Sequence, residues 1–106
     1  SEVALECISE YGFYSAIKKL NGMFAIAAYC ISEKTLWLAR DRFGEKPLFY
    51  YMGKDNELFF ASEIKALLIL PQLGLDLNTD ALGQYFTLNY TLTEDCLLKN
   101  IKKLEK

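Results

Sequence analysis

The chain contains no histidine. A Cys–His couple, in which an imidazole takes the thiol proton, is therefore excluded. An excess of basic charge is missing too. Twelve Lys and Arg stand against fourteen Asp and Glu, for a net charge of -2. No basic field draws the chain to nucleic acid or to anionic lipid. Apolar runs are short; the stretch from Phe24 to Ile31 does not reach the length of a bilayer span. The opening residues carry Glu2, Glu6 and Glu10 in place of the basic start and apolar stretch of a secretory leader. Cys7, Cys30 and Cys96 are too far apart to form a metal-type pair. They read as three buried thiols in a reducing cytoplasm. Repeats, low-complexity segments and an internal domain boundary are likewise absent, and 106 residues suit a single domain.

What is abundant is apolar surface. Hydrophobic residues make up 52% and aromatics 14% of the chain. That is high for a solitary small domain and predicts surface meant for another layer or chain segment. Ala4, Cys7, Ile8 and Tyr11 repeat at helical spacing, and Phe13, Ala16, Ile17 and Leu20 repeat it again after Gly12. Two short helices, or one broken at Gly12, are expected. Asn21-Gly22 closes them. From Met23 to Ile31 both alternating faces are apolar, as in a strand covered on both sides. Ser32-Glu33-Lys34 turns into a second strand, Thr35 to Arg40. A third strand is expected over Leu48 to Met52 after Pro47, and a fourth over Glu57 to Ala61. Ser62 is the expected cap of a helix from Glu63, ended by Pro71, and Asn78 or Thr79 that of a second helix. The tail is expected as a polar loop, a helical turn near Cys96 to Lys99, then extended chain. The sum is an α+β antiparallel β-meander with flanking helices, one sheet from Gly22 to Ala61. Phe24, Ile26, Trp37, Leu48, Phe49 and Phe59 belong in or beside its core, and too few helices remain to cover both faces.

Candidate chemistry is sparse. Cys7 and Cys30 fall on apolar faces, and Asp95 beside Cys96 raises that thiol; all three read as core cysteines. Ser1 leads into a helix and reads as its cap rather than as a terminal nucleophile. Glu33, Asp55, Glu57, Glu94 and Asp95 are solvated turn residues in this reading. Lys99, Lys102, Lys103 and Lys106 form a basic tail without the glycine-rich loop of a phosphate site. The charge-dense stretch Ala39 to Leu48 joins two apolar strands; Arg40 and Asp41 are expected to pair near the strand end, with Gly44 supplying the turn.

That stretch carries a resemblance. Leu38-Ala39-Arg40-Asp41-Arg42-Phe43-Gly44-Glu45-Lys46-Pro47-Leu48-Phe49-Tyr50 resembles a signature of the glutaminase domain of glutamine-dependent asparagine synthetases. Asn21 to Ala27, Phe60 to Leu67 and Leu98 to Leu104 resemble three further segments of that family, in the same order. The resemblance implies a class II amidotransferase: a partial N-terminal-nucleophile-hydrolase αββα sandwich, with residues 1–106 as a partial glutamine amidotransferase domain. In that family a leading cysteine attacks the glutamine amide, its α-amine is the base, and an Asn-Gly pair forms the oxyanion hole. Ammonia then reaches a second domain, where ATP and Mg²⁺ activate aspartate. The resemblance places the nucleophile, the oxyanion pair and the glutamine-binding residues upstream of Ser1, and Asn21-Gly22 matches a different motif. It therefore assigns no catalytic, substrate-binding, cofactor-binding or metal-binding residue to this chain. The one role it transfers is Met23 lining the ammonia route, beside the plainer reading of Met23 as core filler. The expected partners are the rest of the polypeptide and, for the intact enzyme, glutamine and aspartate, with no nucleic acid and no membrane. Related amidotransferases of the β-lactam or peptide-cyclising type, and a stand-alone binding domain, are the alternatives.

Overall fold

A computed structural model describes residues 1–106. Helix α1 runs over Glu2–Tyr11 and α2 over Phe13–Lys19. The break between them is Gly12, at φ 73° and ψ 159°, a region that a side chain essentially forbids. Strands β1 (Ala25–Cys30) and β2 (Thr35–Arg40) follow as an antiparallel hairpin, with Ala25 opposite Arg40 and Cys30 opposite Thr35. The helical pair meets this hairpin through Phe13, which stacks on Trp37 with ring centroids 5.3 Å apart.

Beyond residue 40 the expected single meander gives way to a second sheet. Strands β3 (Phe49–Met52) and β4 (Leu58–Ala61) pair as a hairpin. Short α3 (Ile64–Leu67), then α4 (Thr79–Leu88) and strand β5 (Ile101–Lys103), complete the chain. The strand order is β1-β2 in one sheet and β4-β3-β5 in the other. The physical reason is edge occupancy. A strand has two edges, and the free edge of β3 pairs with β5, Phe49 opposite Lys103 and Tyr51 opposite Ile101. The tail thus takes the place that a meander would give to β2.

Smaller expectations are corrected for similar reasons. No helical turn forms at Cys96 to Lys99; this segment runs beside residues 76–78, with Leu77 bridging Leu98 and the Asn78 N–H donating to the Leu97 carbonyl. Asn78 does cap α4, its side chain accepting from the N–H groups of Asp80 and Ala81. Ser1 stands at the start of α1 without a side-chain cap bond, and α3 starts from Glu63, not Ser62.

Burial is uneven. The core cluster is Tyr51, Leu67, Leu73, Cys96 and Ile101, all beyond residue 40, with Phe49, Phe59 and Ile64 packed against it. Leu48 is buried as expected, whereas Phe24, Ile26 and Trp37 are only half-buried. On β1 one alternating face is half-buried and the other is open: Tyr29 is 60% exposed, and Met23 and Ile31 flank it in the open. The sequence expectation of an uncovered apolar sheet face is met there. The whole chain exposes 7770 Å², against about 6,100 Å² for a compact protein of this mass. Its radius of gyration is 15.5 Å, against about 13 Å for a compact domain of this length.

Candidate functional site

The charged stretch between the sheets is built around one carboxylate. Asp41 is the only buried charged residue, 1% exposed. Its Oδ1 accepts the N–H groups of Phe43 and Glu45, each at 3.1 Å. Its Oδ2 accepts those of Lys46 at 3.0 Å and Phe24 at 3.3 Å. Four donors aimed at one ionised group favour its charged form. The Lys46 N–H, most of all, and then those of Glu45, Phe24 and Phe43 outweigh the cost of burial and hold the carboxyl at about 2. An aspartate followed closely by a turn glycine suits this role, because its short side chain reaches the backbone just ahead of it.

Arg40 works in the other sense, donating to backbone carbonyls. Its Nε bonds the Lys46 carbonyl at 2.7 Å, one Nη bonds Leu104 at 3.0 Å, and the other bonds Gly44. Gly44 sits at φ 66°, and a Cβ there would lie 3.0 Å from the guanidinium carbon of Arg40. Glycine is therefore needed twice, for the turn and for the close approach. Arg42 reaches back to the Lys18 carbonyl at 2.9 Å, at the end of α2. The expected pairing of Arg40 and Asp41 thus occurs with backbone groups and not with opposite charges.

The thiols divide. Cys96 is buried, and its thiol is pushed up, mainly by desolvation, with Asp95 adding to it. Cys7 and Cys30 are only half-buried, against expectation. The Cys30 Sγ lies 3.2 Å from the Ser32 hydroxyl, which, with the Glu33 backbone, draws its pKa below the ordinary thiol range. This contact sits at the hairpin tip, and a hydroxyl is no base for a thiol.

The tail carboxylates are not freely solvated. Glu94 takes the Lys102 ammonium at 2.9 Å and Asp95 takes it at 3.4 Å. The Tyr50 hydroxyl donates to the second Glu94 oxygen at 3.4 Å. Lys102 is held above its usual range, chiefly by Glu94.

A hollow lies between the helical pair and β1. It has a volume of about 1200 Å³ and is lined by Ile8, Met23, Phe24 and Trp37, with Pro47 and Ser62 from the far side of the charged loop. Met23 stands on this wall and is more than half exposed in this chain.

Comparison with known proteins places this geometry. Residues 1–106, the whole chain, match the glutamine amidotransferase domain. The chain belongs to the glutamine amidotransferase family. Among curated relatives of this amidotransferase chain, a Methanocaldococcus jannaschii protein provisionally named glutamine-hydrolyzing asparagine synthetase 2 is 35% identical over 99% of the chain and 20% of the relative. Glutamine-hydrolyzing asparagine synthetase 1 of Bacillus subtilis is 37% identical over 85% of the chain and 14% of the relative. A provisionally named asparagine synthetase of Mycobacterium tuberculosis is 39% identical over 84% of the chain and 14% of the relative. The chain spans a fifth or less of the length of these relatives.

Proposed function

We propose that this chain forms the scaffold half of the glutaminase domain of a glutamine-hydrolysing asparagine synthetase. The observation that carries this reading is the family match over residues 1–106 together with 35% identity across 99% of the chain to a protein of that name. In this reading the intact enzyme releases ammonia from glutamine and passes it to aspartate activated with ATP and Mg²⁺. The nucleophile, its base and the oxyanion donors come from the rest of the polypeptide. Hydrolysis needs all three within hydrogen-bond reach of one carbonyl, and the Cys30 thiol has a hydroxyl, not a base, as its side-chain partner.

Three carboxylates of this chain are already engaged within it. Asp41 is committed to four backbone N–H groups, and Glu94 and Asp95 to Lys102. In this reading the ATP site lies in the rest of the polypeptide. The open apolar face of β1, with Tyr29 and Ile31, is the surface on which the remaining part of the glutaminase domain packs.

The test is nitrogen transfer by the polypeptide that carries this chain. With amide-¹⁵N glutamine, aspartate, ATP and Mg²⁺, the label is expected in the side-chain amide of asparagine. Label in the amide of another carboxylic acid, with none in asparagine, would assign the chain to a different amidotransferase.

A further inference from the structure

Every hydrogen bond that joins residues 1–39 to residues 43–106, directly or through a side chain between them, involves Arg40, Asp41 or Arg42. Asp41 holds Phe24, at the entry to β1, and Lys46, at the approach to β3, on the same oxygen. Its own N–H also bonds the Phe24 carbonyl at 2.9 Å. Arg40, the last residue of β2, reaches across to Leu104 just past β5. Arg42, inside the loop, ties back to the end of α2. The two sheets share no strand.

We propose that this triplet is a clasp on a hinge: it fixes the angle between the unit made of α1, α2, β1 and β2 and the unit made of β3, β4, β5 and α3. The hinge is the loop from Arg42 to Pro47. Each unit keeps its own backbone ladder, so the clasp can open without breaking a strand pair. The hollow beside β1 is walled by both units, with Met23 and Trp37 on one side and Pro47 and Ser62 on the other. Its width follows the hinge angle. A few residues that absorb a dihedral change while packed elements move rigidly are the ordinary construction of such a hinge.

Asp41→Asn separates the clasp from the fold. An asparagine keeps one acceptor oxygen for Phe43 and Glu45 but turns an amide NH₂ toward the N–H groups of Phe24 and Lys46. Arg40→Lys is the milder companion, keeping the charge and losing the fork that reaches Gly44 and Leu104. The experiment uses the whole polypeptide that carries this chain, with spin labels at Ser32 and Lys54, one at each hairpin tip. Pulsed dipolar distances are read together with amide exchange. In Asp41→Asn the distance distribution is expected to broaden about twofold and loop amides 43–46 to exchange at least about tenfold faster, while the β1–β2 and β3–β4 ladders keep their protection. Arg40→Lys is expected to give the same pattern at smaller amplitude, and it decides the matter if Asp41→Asn does not fold. An unchanged distance distribution, or protection lost from both ladders along with the loop, would overturn the hinge.

Discussion

The two parts of this chain, before and after residue 40, are both rich in apolar residues and use them differently. Beyond residue 40, Tyr51, Leu67, Leu73, Cys96 and Ile101 close into a core. Before it, only Ala16 is buried, and β1 leaves Tyr29 and its neighbours in the open. Both strands β1 and β3 are apolar on both faces, so pattern does not decide the outcome. Neighbours do. Strand β3 has β4 on one edge, β5 on the other and α3 beside it. Strand β1 has one partner strand, β2, and the helical pair stacks its Phe13 on Trp37 of that partner. An apolar strand face is thus a request for a layer, and the second half of this chain supplies the layer that the first half lacks.

Substitutions can break that contrast. Ile101 is 1% exposed within the core cluster, so Ile101→Ala is expected to cost about 2–5 kcal/mol in chemical denaturation. A loss under about 0.5 kcal/mol, the usual size for a surface position, would mean that the core is not closed there. Gly44→Ala tests the joint between the halves. The left-handed backbone alone costs about 1–2 kcal/mol, and the clash with the Arg40 guanidinium adds to it.

The joint also has a pH signature. The Asp41 carboxyl sits at about 2 in the folded chain, below its ordinary value of 3.8. A depressed carboxylate adds stability that is fully present above the unfolded value and is lost as pH falls through the folded one. The Asp41 contribution is therefore expected to be flat from neutral pH down to about 4 and to fall away between about 4 and 2. The pH dependence of denaturation, compared between the unsubstituted chain and Asp41→Asn, isolates it; parallel curves over that interval would contradict the assignment. The smallest effect is expected on the open face. Ile31, 82% exposed, is expected to tolerate Ile31→Thr within about 0.5 kcal/mol in the 106-residue chain. The same change in the longer polypeptide, if that face is covered there, is expected to cost clearly more. Equal costs in both would remove the case for a missing layer.

Local features were legible in the residues. The Thr35–Arg40 strand, the break at Gly12 and the Asn78 cap follow from short-range chemistry: strand patterning, a backbone region reserved for glycine, and an amide oxygen over free N–H groups. The pairing of β3 with β5 was not, because residues 49–51 meet residues 101–103 only after the whole intervening chain has folded back. The serine caps failed because a hydroxyl at a helix start does not by itself make the bond. Of the charged loop, the sequence showed that something unusual joined two apolar strands. It did not show that Asp41 and Arg40 would address backbone groups in both halves, since the partners Phe24 and Leu104 are remote in sequence. Cys7 and Cys30 are half-buried where their apolar faces point to burial, because apolar patterning predicts a face, not its cover.

In the proposed reading this chain frames glutamine hydrolysis and does not perform it. Ammonia release from glutamine by the whole polypeptide measures this directly. With Cys7→Ser, Cys30→Ser and Cys96→Ala combined, kcat/KM is expected to stay close to that of the unsubstituted protein, and the isolated 106-residue chain is expected to release no ammonia above background. Ammonia released by the isolated chain, and abolished by any one of those three substitutions, would place the nucleophile within these residues and contradict the account.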